Sequence, residues 1–309
     1  MPPTSRSWVK AGLPPGTYDA LTNELPASRL WSLLLDIAAA RATQRRPVEL
    51  VDQWGCDRFV QPSIVDQRTL LEVDRHLLGA ASAFESIELS PVAPLGVCAV
   101  MGPTSQNKVL SALRGTELVS DPTNVMALEC ARRLHRDPAA VVRLATSHRC
   151  VRAQPIPKRR GLTAHFRIFC LVSAGLERKN SGFVVGAVAE QMSTMLQALD
   201  QLEQHGFAFP DRRVTVLARE DKIALADRIA AKLQGVDVTR ALLDHPYYNQ
   251  GLRFQIAARS NEGDEIPLID GGVFDWVAKL ASNRKAVYVA SGLGSQLVPL
   301  MFRRLLAAD

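Results

Sequence analysis

The feature of this sequence that most constrains its fold is the stretch 244–275, in which two adjacent tyrosines precede two β-rich runs and a glycine pair follows them. The runs at 252–258 and 265–269 are separated by a polar turn, which predicts a β-hairpin. Adjacent glycines let a backbone approach a ligand or another strand closely, because no Cβ atom blocks the approach. Taken alone, the same residues are also consistent with core aromatics and a tight strand end. The residues at the two ends of the predicted hairpin are Tyr247, Tyr248, Gly271 and Gly272.

The composition is that of an ordinary globular protein. The chain has 309 residues, of which 47% are hydrophobic and 22% charged, enough for one large or two modest domains. The net charge of +6 is spread along the chain, and the basic run at 158–160 is too short to predict a nucleic-acid partner. Five widely separated cysteines predict buried free thiols rather than disulfides or a zinc site. No run reaches the roughly 18 apolar residues of a membrane span and no signal peptide is evident, so a cytoplasmic protein is expected.

The N-terminal part of the chain predicts an arm followed by a helix. Residues 1–12 are rich in proline, serine and basic side chains, which is typical of a flexible arm, so the folded core is expected at 13–309. Ser28 then precedes apolar residues at helical spacing and is the expected N-cap of a helix. Those apolar residues are Leu30, Leu33, Leu34, Ile37 and Ala38.

Two polar motifs lie beside predicted regular structure. Asp121 and Thr123 precede a helical stretch, where both can act as capping residues. Arg152 and Phe166 flank a loop rich in proline, lysine and arginine, and they fall on the two arms of a predicted hairpin. A guanidinium suits a phosphate because it donates two parallel charge-assisted hydrogen bonds. An arginine and a phenylalanine are also common on the surface of any hairpin, so both interpretations stay open.

The C-terminal half predicts alternating helices and strands. An amphipathic helix is expected at 183–205, with Met192 and Met195 as core-filling side chains. A strand at 213–218 and a helix at 221–233 follow. The β-rich run at 286–290 leads into a glycine-containing segment and a helix expected to carry arginine.

Six segments, in order, resemble the motifs of the histidyl-tRNA synthetases and of their non-synthetase relative, the regulatory subunit of ATP phosphoribosyltransferase. They are the Leu-Pro-x-Gly-x-x-Asp opening at 13–19, the segment 54–62, the acid and hydroxyl at 121–123, the hairpin of Arg152 and Phe166, the tyrosine and glycine pairs, and the segment 291–296. The resemblance covers 13–306 and implies an α+β fold, a class II aminoacyl-tRNA synthetase-like antiparallel sheet flanked by helices. It implies no anticodon-binding domain, a small insertion at about 207–240, and a homodimer built on the first helix and a short strand that ends at Pro62.

The resemblance also implies a ligand pocket. Asp121 and Thr123 are similar to the residues that hold the α-amino group of the family's substrate. Arg152 stands where the family binds the α-phosphate of ATP, Gln154 stands where it has a glutamate, and Phe166 where a ring stacks on adenine. The residues that resemble the lining of the family's histidine pocket are Tyr247, Tyr248, Gly271 and Gly272.

Several departures from the family decide the expected function. Val273 and Phe274 replace an Arg-Tyr pair, Leu243 stands at the catalytic arginine with Arg240 as the nearest substitute, and Gln296 replaces an arginine that contacts the γ-phosphate. Neutral side chains cannot supply the charge that stabilises a transferring phosphate. The sequence therefore predicts no tRNA aminoacylation and assigns no catalytic residue, unless Arg152 acts in an active form.

The sequence is compatible with three functions. The first is a noncatalytic subunit that binds a small amino-acid-like ligand and regulates a partner enzyme, such as a short ATP phosphoribosyltransferase of histidine biosynthesis. The alternative is an ATP-dependent ligase that forms an acyl-adenylate, with ATP and Mg as cofactors; otherwise no cofactor or metal is expected. An RNA-binding relative that uses the basic run at 158–160 is the weakest, because such runs are usually solvated loop tips.

Overall fold

The structure, a computed structural model, describes residues 10–102, 105–155 and 163–304. Residues 1–9 of the predicted arm and the basic run at 158–160 lie outside the described residues. Within these three ranges, no helix is long and apolar enough to pass through a lipid bilayer.

Two sheets contain all the strands of the described ranges. The strands are β1 (Glu85–Ser86), β2 (Val92–Pro94), β3 (Ser111–Ala112), β4 (Thr116–Leu118), β5 (Val142–Val151), β6 (His165–Leu176), β7 (Arg213–Ala218), β8 (Val238–Leu242), β9 (Leu252–Arg259), β10 (Glu265–Phe274) and β11 (Ala286–Leu293). The large sheet has the order β1-β5-β6-β11-β10-β9-β7-β8, and the small one the order β2-β4-β3.

The helices of the described ranges are of two kinds: those from residue 67 onward contribute to the apolar cores on the two faces of the large sheet, and those before residue 57 contribute no buried residue. They are α1 (Thr17–Asp19), α2 (Ala27–Thr43), α3 (Pro47–Cys56), α4 (Gln67–Ala80), α5 (Val97–Met101), α6 (Pro122–Arg136), α7 (Gly182–Glu203), α8 (Ile223–Lys232), α9 (Trp276–Leu280) and α10 (Leu297–Met301). Single turns of other helix types occur at Ala20–Glu24, Gln106–Lys108, Lys179–Ser181 and Glu220–Lys222.

The large sheet is antiparallel at its centre and parallel only at its edges, where β1 pairs with β5 and β7 with β8. The hairpins β5–β6 and β9–β10 lie on either side of β11. In the second hairpin Glu265 pairs with Arg259, and the register shifts between Pro267 and Ile269. Strands β7 and β8 come from the segment expected as an insertion and extend one edge of the same sheet.

Each face of the sheet carries its own apolar core, because successive side chains of a strand point to opposite faces. Ala145 of β5 packs with α4, α7 and α10 in one core, which we call the α7 face. Leu144 and Cys150 of the same strand pack with α6 and α9 in the other core, the α6 face. The predicted core methionines Met192 and Met195 are fully buried on the α7 face.

Two predictions for the N-terminal region are wrong. The N-cap of α2 is Pro26 rather than Ser28, because the proline supplies an extended backbone one residue before the helix begins. No strand lies directly before Pro62, because residues 58–60 form a turn and residue 61 a bend. The side chain of Asp57 accepts a hydrogen bond from the backbone N–H of Phe59 (2.9 Å), which fixes a turn directly after α3.

Two predictions near the C-terminus also need correction. The glycine pair lies inside β10 rather than after it, because β10 continues to Phe274 while paired with both β9 and β11. The helix α10 contains no arginine; Arg303 and Arg304 follow it.

The first helices pack loosely on the rest of the chain. No residue of α2 or α3 is buried. In α3, Val51 is 69% exposed and Trp54 55% exposed. The apolar spacing predicted for the first helix therefore yields a helix whose apolar side chains remain accessible within this single chain.

Candidate functional site

Seven of the nine sequence-predicted site residues line one cavity of about 320 Å³ on the α6 face. Phe166 lines an adjoining compartment of about 280 Å³, and Gly272 lines neither. A larger cleft of about 680 Å³ beside α7 and α9 contains none of the nine. The seven residues are Asp121, Thr123, Arg152, Gln154, Tyr247, Tyr248 and Gly271. The structure thus brings together segments that are far apart in sequence, in a volume suited to a small molecule.

Asp121 caps α6 with one oxygen of its carboxylate. Its Oδ1 accepts hydrogen bonds from the backbone N–H (3.0 Å) and the hydroxyl (2.7 Å) of Thr123. Its Oδ2 lies 3.9 Å from Nη2 of Arg152. The capping interpretation is therefore correct for Asp121, whereas Thr123 lies in the first turn of α6 and donates to the cap. Oδ2 of Asp121 is left facing the arginine at the cavity wall.

Arg152 is held where β5 leaves the sheet. Its Nε donates to the backbone oxygen of Ser120 (2.9 Å), and its backbone N–H donates to the oxygen of Ala164 (2.8 Å). The guanidinium carbon lies 4.9 Å from the centre of the Phe166 ring, within cation–π range. Arg152 thus covers one face of that ring. Gln154 lines the cavity and the adjoining compartment, so the two spaces share part of their lining.

Aromatic rings form part of the cavity lining. Tyr247 meets Tyr248 edge to face with ring centres 5.3 Å apart, and it meets Phe274 in the same way at 5.5 Å. Phe274 in turn stacks on Trp276 at 4.1 Å. Burial raises the pKa of each tyrosine hydroxyl far above the ordinary value for tyrosine. The charge of Asp121 raises the pKa of Tyr247 further. Both hydroxyls therefore remain protonated and can donate hydrogen bonds.

The glycine pair is required by close contacts inside the sheet. A Cβ atom on Gly272 would lie 2.5 Å from Cδ1 of Tyr248 and 2.6 Å from the backbone oxygen of Leu252. A Cβ atom on Gly271 would lie 2.5 Å from Cζ of Phe254. Gly272 therefore acts on the cavity indirectly, because the Tyr248 ring occupies the space that a side chain would need.

An ion pair at the cavity wall was not predicted from the sequence. Arg253 of β9 donates two hydrogen bonds to the carboxylate of Asp270 on β10, at 2.9 and 2.8 Å, and its guanidinium lies 4.8 Å from the centre of the Tyr248 ring. Asp270 lines both the cavity and the adjoining compartment. An aspartate directly before the glycine pair, inside an otherwise apolar run, was the available sequence signal. Its pairing with Arg253 depends on strand register.

Three further lining residues lack any sequence signature. Asn124 is 2% exposed, and its Nδ2 has no hydrogen-bond partner among the described residues. A buried amide donor without a partner costs free energy, which an acceptor atom of a ligand would offset. Cys98 lies with its sulfur 2.9 Å from the hydroxyl of Ser120, and burial raises the pKa of the thiol to about 11. Lys108 adds a cation to the lining.

The positions where the family carries arginines are filled differently. Leu243 is 6% exposed and packs in the core of the α6 face. Arg240 is expected as the nearest substitute for the arginine that Leu243 replaces. It lies on edge strand β8 and pairs with Asp227 at 2.6 Å, so the prediction that it takes the place of this arginine is wrong. Gln296 is 1% exposed, and its Nε2 donates to the hydroxyl of Thr163 (3.1 Å). It lines the compartment beside Phe166 without bringing a charge to it.

The fold and the cavity define a protein with the class II aminoacyl-tRNA synthetase-like fold, a large sheet flanked by helices, as the sequence predicts. The chain is similar to the ATP phosphoribosyltransferase regulatory subunit/histidyl-tRNA synthetase of Bacillus halodurans, with 16% identity and a TM-score of 0.60, covering 77% of this chain and 80% of that one. It is also similar to the histidine–tRNA ligase subunit of Alicyclobacillus acidocaldarius, with 14% identity and a TM-score of 0.56, covering 82% and 95%.

The histidyl-tRNA synthetase of a Nostoc species is similar as well, with 13% identity and a TM-score of 0.55, covering 78% of this chain and 74% of that one. No family model and no curated protein matches the sequence. At these identities the similarity confirms the predicted fold, and any function must be argued from the cavity.

Proposed function

We propose that this protein is a noncatalytic subunit of the histidyl-tRNA synthetase-like type, which binds a small amino-acid-like ligand in the cavity and regulates a partner enzyme. The observation that carries the proposal is the set of side chains that line the candidate cavity of about 320 Å³. It combines the Oδ2 of Asp121, the guanidinium of Arg152 and the Tyr247–Tyr248 wall. We expect the protein to act in the cytoplasm.

The cavity offers matching partners for each part of an amino acid. The carboxylate of Asp121 and the hydroxyl of Thr123 suit an ammonium group, since a charged acceptor makes the stronger hydrogen bond. The guanidinium of Arg152 and the unpaired amide of Asn124 are donors for a ligand carboxylate. The tyrosine rings then face the ligand's side chain and provide apolar contact with a hydroxyl donor at its edge.

The same geometry argues against adenylation. Productive activation of an amino acid needs cations preorganised around the triphosphate, which is usually the largest catalytic contribution. Gln296 is neutral, and Leu243 is apolar and buried. Two nearby arginines have partners elsewhere: Arg240, the nearest substitute in the sequence, pairs with Asp227, and Arg304, which follows α10, donates to the backbone oxygen of Phe207.

A second candidate is an acyl-adenylate-forming ligase, favoured by the neighbouring Arg152 and Phe166 beside a compartment of about 280 Å³. Arg152 would hold a phosphate of ATP, and ATP with Mg would supply the leaving group and its charge compensation. The fit is poor, because Arg152 covers a face of the Phe166 ring on which adenine would stack. Gln296, at the position where the family has an arginine that contacts the γ-phosphate, also brings no charge to this compartment. The noncatalytic function therefore ranks first.

Two partners are indicated, one by the exposed helices α2 and α3 and the other by the similar protein of Bacillus halodurans. The apolar side chains of α2 and α3 would be covered in a homodimer, and burying such a surface is the main driving force of association. The relative from Bacillus halodurans carries the name of an ATP phosphoribosyltransferase regulatory subunit. A short ATP phosphoribosyltransferase of histidine biosynthesis is therefore the partner enzyme we propose.

Two experiments separate the candidates. In an amino-acid-dependent pyrophosphate exchange assay with ATP and Mg, the noncatalytic proposal predicts no exchange with any proteinogenic amino acid. Robust exchange that is lost in Arg152→Ala would establish the ligase instead. In the second experiment, a short ATP phosphoribosyltransferase is co-expressed with this chain. We expect co-purification and a change in its activity; no association would remove the proposed partner.

A further inference from the structure

A second polar cleft lies on the α7 face, across the sheet from the candidate cavity. It has a volume of about 430 Å³ and lies between the β5–β6 hairpin, the start of α4 and the segment around Pro62. Arg149 of β5 pairs directly with Arg167 of β6, so both side chains leave the sheet on the same face. Phe169, two residues after Arg167 on β6, points to the same face of the sheet as Arg167. It packs in the core of the α7 face, so both arginines lie on the α7 face.

One of the two arginines has a carboxylate partner. Nε of Arg167 lies 2.6 Å from Oδ2 of Asp74, whose side chain is 6% exposed. The other carboxylate oxygen of Asp74 accepts a hydrogen bond from the hydroxyl of Ser147 (2.6 Å). Arg167 also donates to Ser147, through Nε to the hydroxyl (3.1 Å) and through Nη2 to the backbone oxygen (3.2 Å). The single buried carboxylate of the cleft is therefore engaged by Arg167.

Arg149 is left with neutral partners. Its Nη1 lies 3.0 Å from Nδ1 of His165 and 3.4 Å from Oε1 of Gln296. Nε2 of His165 lies 2.7 Å from the backbone oxygen of Gln61. Nε2 must therefore carry the proton, and Nδ1 accepts from the guanidinium, so the imidazole is neutral. Within the described ranges, Arg149 forms no ion pair with a carboxylate.

An uncompensated guanidinium in this position is costly. Burial, and then the like charge of Arg167, lower the pKa of Arg149 below its ordinary value. Two guanidinium groups facing one carboxylate give the cleft a net positive charge. Only Nη1 of Arg149 is used in the contacts above, which leaves Nε and Nη2 as donors with the fork geometry that matches two oxygens of one anion.

We propose that this cleft is an oxyanion-binding site, in which Arg149 and Arg167 hold the phosphate or carboxylate group of a small ligand. The hydroxyl of Ser63 and the amide of Gln67 add neutral hydrogen-bonding groups to the lining. Leu70 also lines the cleft and provides apolar surface for the body of the ligand. The cleft has no lining residue in common with the candidate cavity of about 320 Å³, whereas Arg167 also lines the adjoining compartment of about 280 Å³ beside Phe166, so the cleft and that compartment meet at this arginine.

The test is isothermal titration calorimetry of the full chain with inorganic phosphate and, separately, with acetate, at ionic strength held constant with sodium chloride. We expect one of the two anions to bind with a dissociation constant in the millimolar range or below, which also identifies the preferred oxyanion. Arg149→Gln should weaken that binding at least tenfold, because glutamine keeps hydrogen-bonding capacity but loses the charge and the fork. Added anion should also raise the melting temperature of the wild type but not that of Arg149→Gln.

Two controls make the result specific. Arg143→Gln removes the same charge from the same strand, where Arg143 pairs with Glu190 at 2.8 Å outside the cleft, and should leave anion binding unchanged. Arg152→Gln removes the guanidinium of the candidate cavity; the anion binding that Arg149→Gln weakens should persist in this variant, and its loss would move the anion to the candidate cavity and overturn the proposal. Absence of binding by both anions, or equal binding by Arg149→Gln, would overturn it as well. Should Arg149→Gln fail to fold, Arg149→Lys keeps the charge without the fork and should bind several-fold more weakly.

Discussion

Replacing Gly272 by alanine should destabilise the protein although it adds only one methyl group. The new Cβ would lie 2.5 Å from a ring carbon of Tyr248 and 2.6 Å from the backbone oxygen of Leu252. Both distances are far below ordinary van der Waals contact, at roughly 3.5–4.0 Å between carbon atoms. The oxygen belongs to a paired strand and cannot move without disturbing β9. The overlap must therefore be relieved by moving the tyrosine ring and the sheet.

The expected magnitude follows from the cost of overpacking. Inserting a methyl group into a filled site typically costs about 1–3 kcal/mol, and the backbone contact places Gly272→Ala near the upper end. Gly186 is the matched control, because it lies inside α7 and a Cβ atom there would meet nothing within 4 Å. The same substitution at that position should stabilise the protein by about 0.5–1 kcal/mol, since alanine loses less conformational entropy in a helix.

Urea unfolding followed by circular dichroism measures both free energies. Gly272→Ala should lower the free energy of unfolding while Gly186→Ala raises it, and the opposite signs test the packing argument without reference to absolute values. The shifted Tyr248 ring should also weaken ligand binding in the cavity. A neutral Gly272→Ala, or equal effects of the two substitutions, would refute the inference that Tyr248 packs against the glycine pair.

Three further predictions concern charge and assembly. Hydrogen bonds, of which the one from Arg132 has the largest effect, lower the pKa of Glu129 from 4.5 to about 2. The ionised carboxylate therefore stabilises the fold above about pH 4.5. This contribution is lost as the pH falls towards 2. Glu129→Gln should be less stable than the wild type by about 1 kcal/mol at pH 7, since water screens the group, and the difference should vanish in acid unfolding near pH 2. Arg253→Gln and Asp270→Asn should each cost about 1–2 kcal/mol, and the double variant should cost less than their sum, as a double-mutant cycle in urea would measure. Sedimentation should show a dimer of 33.8 kDa chains, and Trp54→Asp should shift it towards monomer; a monomeric wild type at micromolar concentration would contradict the proposed interface.

Much of the fold follows from local pattern. Strand β7 has the predicted bounds, and α7 lies within a residue or two of its prediction, because its apolar side chains recur at a helical period over many turns. The rest of the architecture was predicted from the order of the motifs along the chain. The local sequence could not decide which residue caps α2, because both Pro26 and Ser28 are suitable at the start of a helix. The backbone conformation, which is extended at Pro26, decides between them.

The candidate site divides in the same way. Residues with a motif, such as Asp121 and Tyr247, were found because their order along the chain is informative. The pair of Arg253 and Asp270 was missed because it depends on the register of β9 against β10, which a bulge alters. Asn124 was missed for another reason: whether a buried amide has a partner is decided by residues that only the tertiary fold brings close.

The central claim is that Asp121 receives the ammonium group of an amino-acid-like ligand. Asparagine caps a helix as well as aspartate does, so Asp121→Asn keeps the start of α6 while it removes the charge. Asp66→Asn makes the same change at the N-cap of α4, away from the cavity, and is the matched control.

Isothermal titration calorimetry with the proteinogenic amino acids, histidine among them, tests this claim most directly. We expect at least one to bind the wild type and Asp66→Asn equally and to bind Asp121→Asn at least tenfold more weakly, because a hydrogen bond to a charged group is worth about 1.5–3 kcal/mol. Binding that is equal in Asp121→Asn, or no binding of any amino acid to the wild type, would contradict the account.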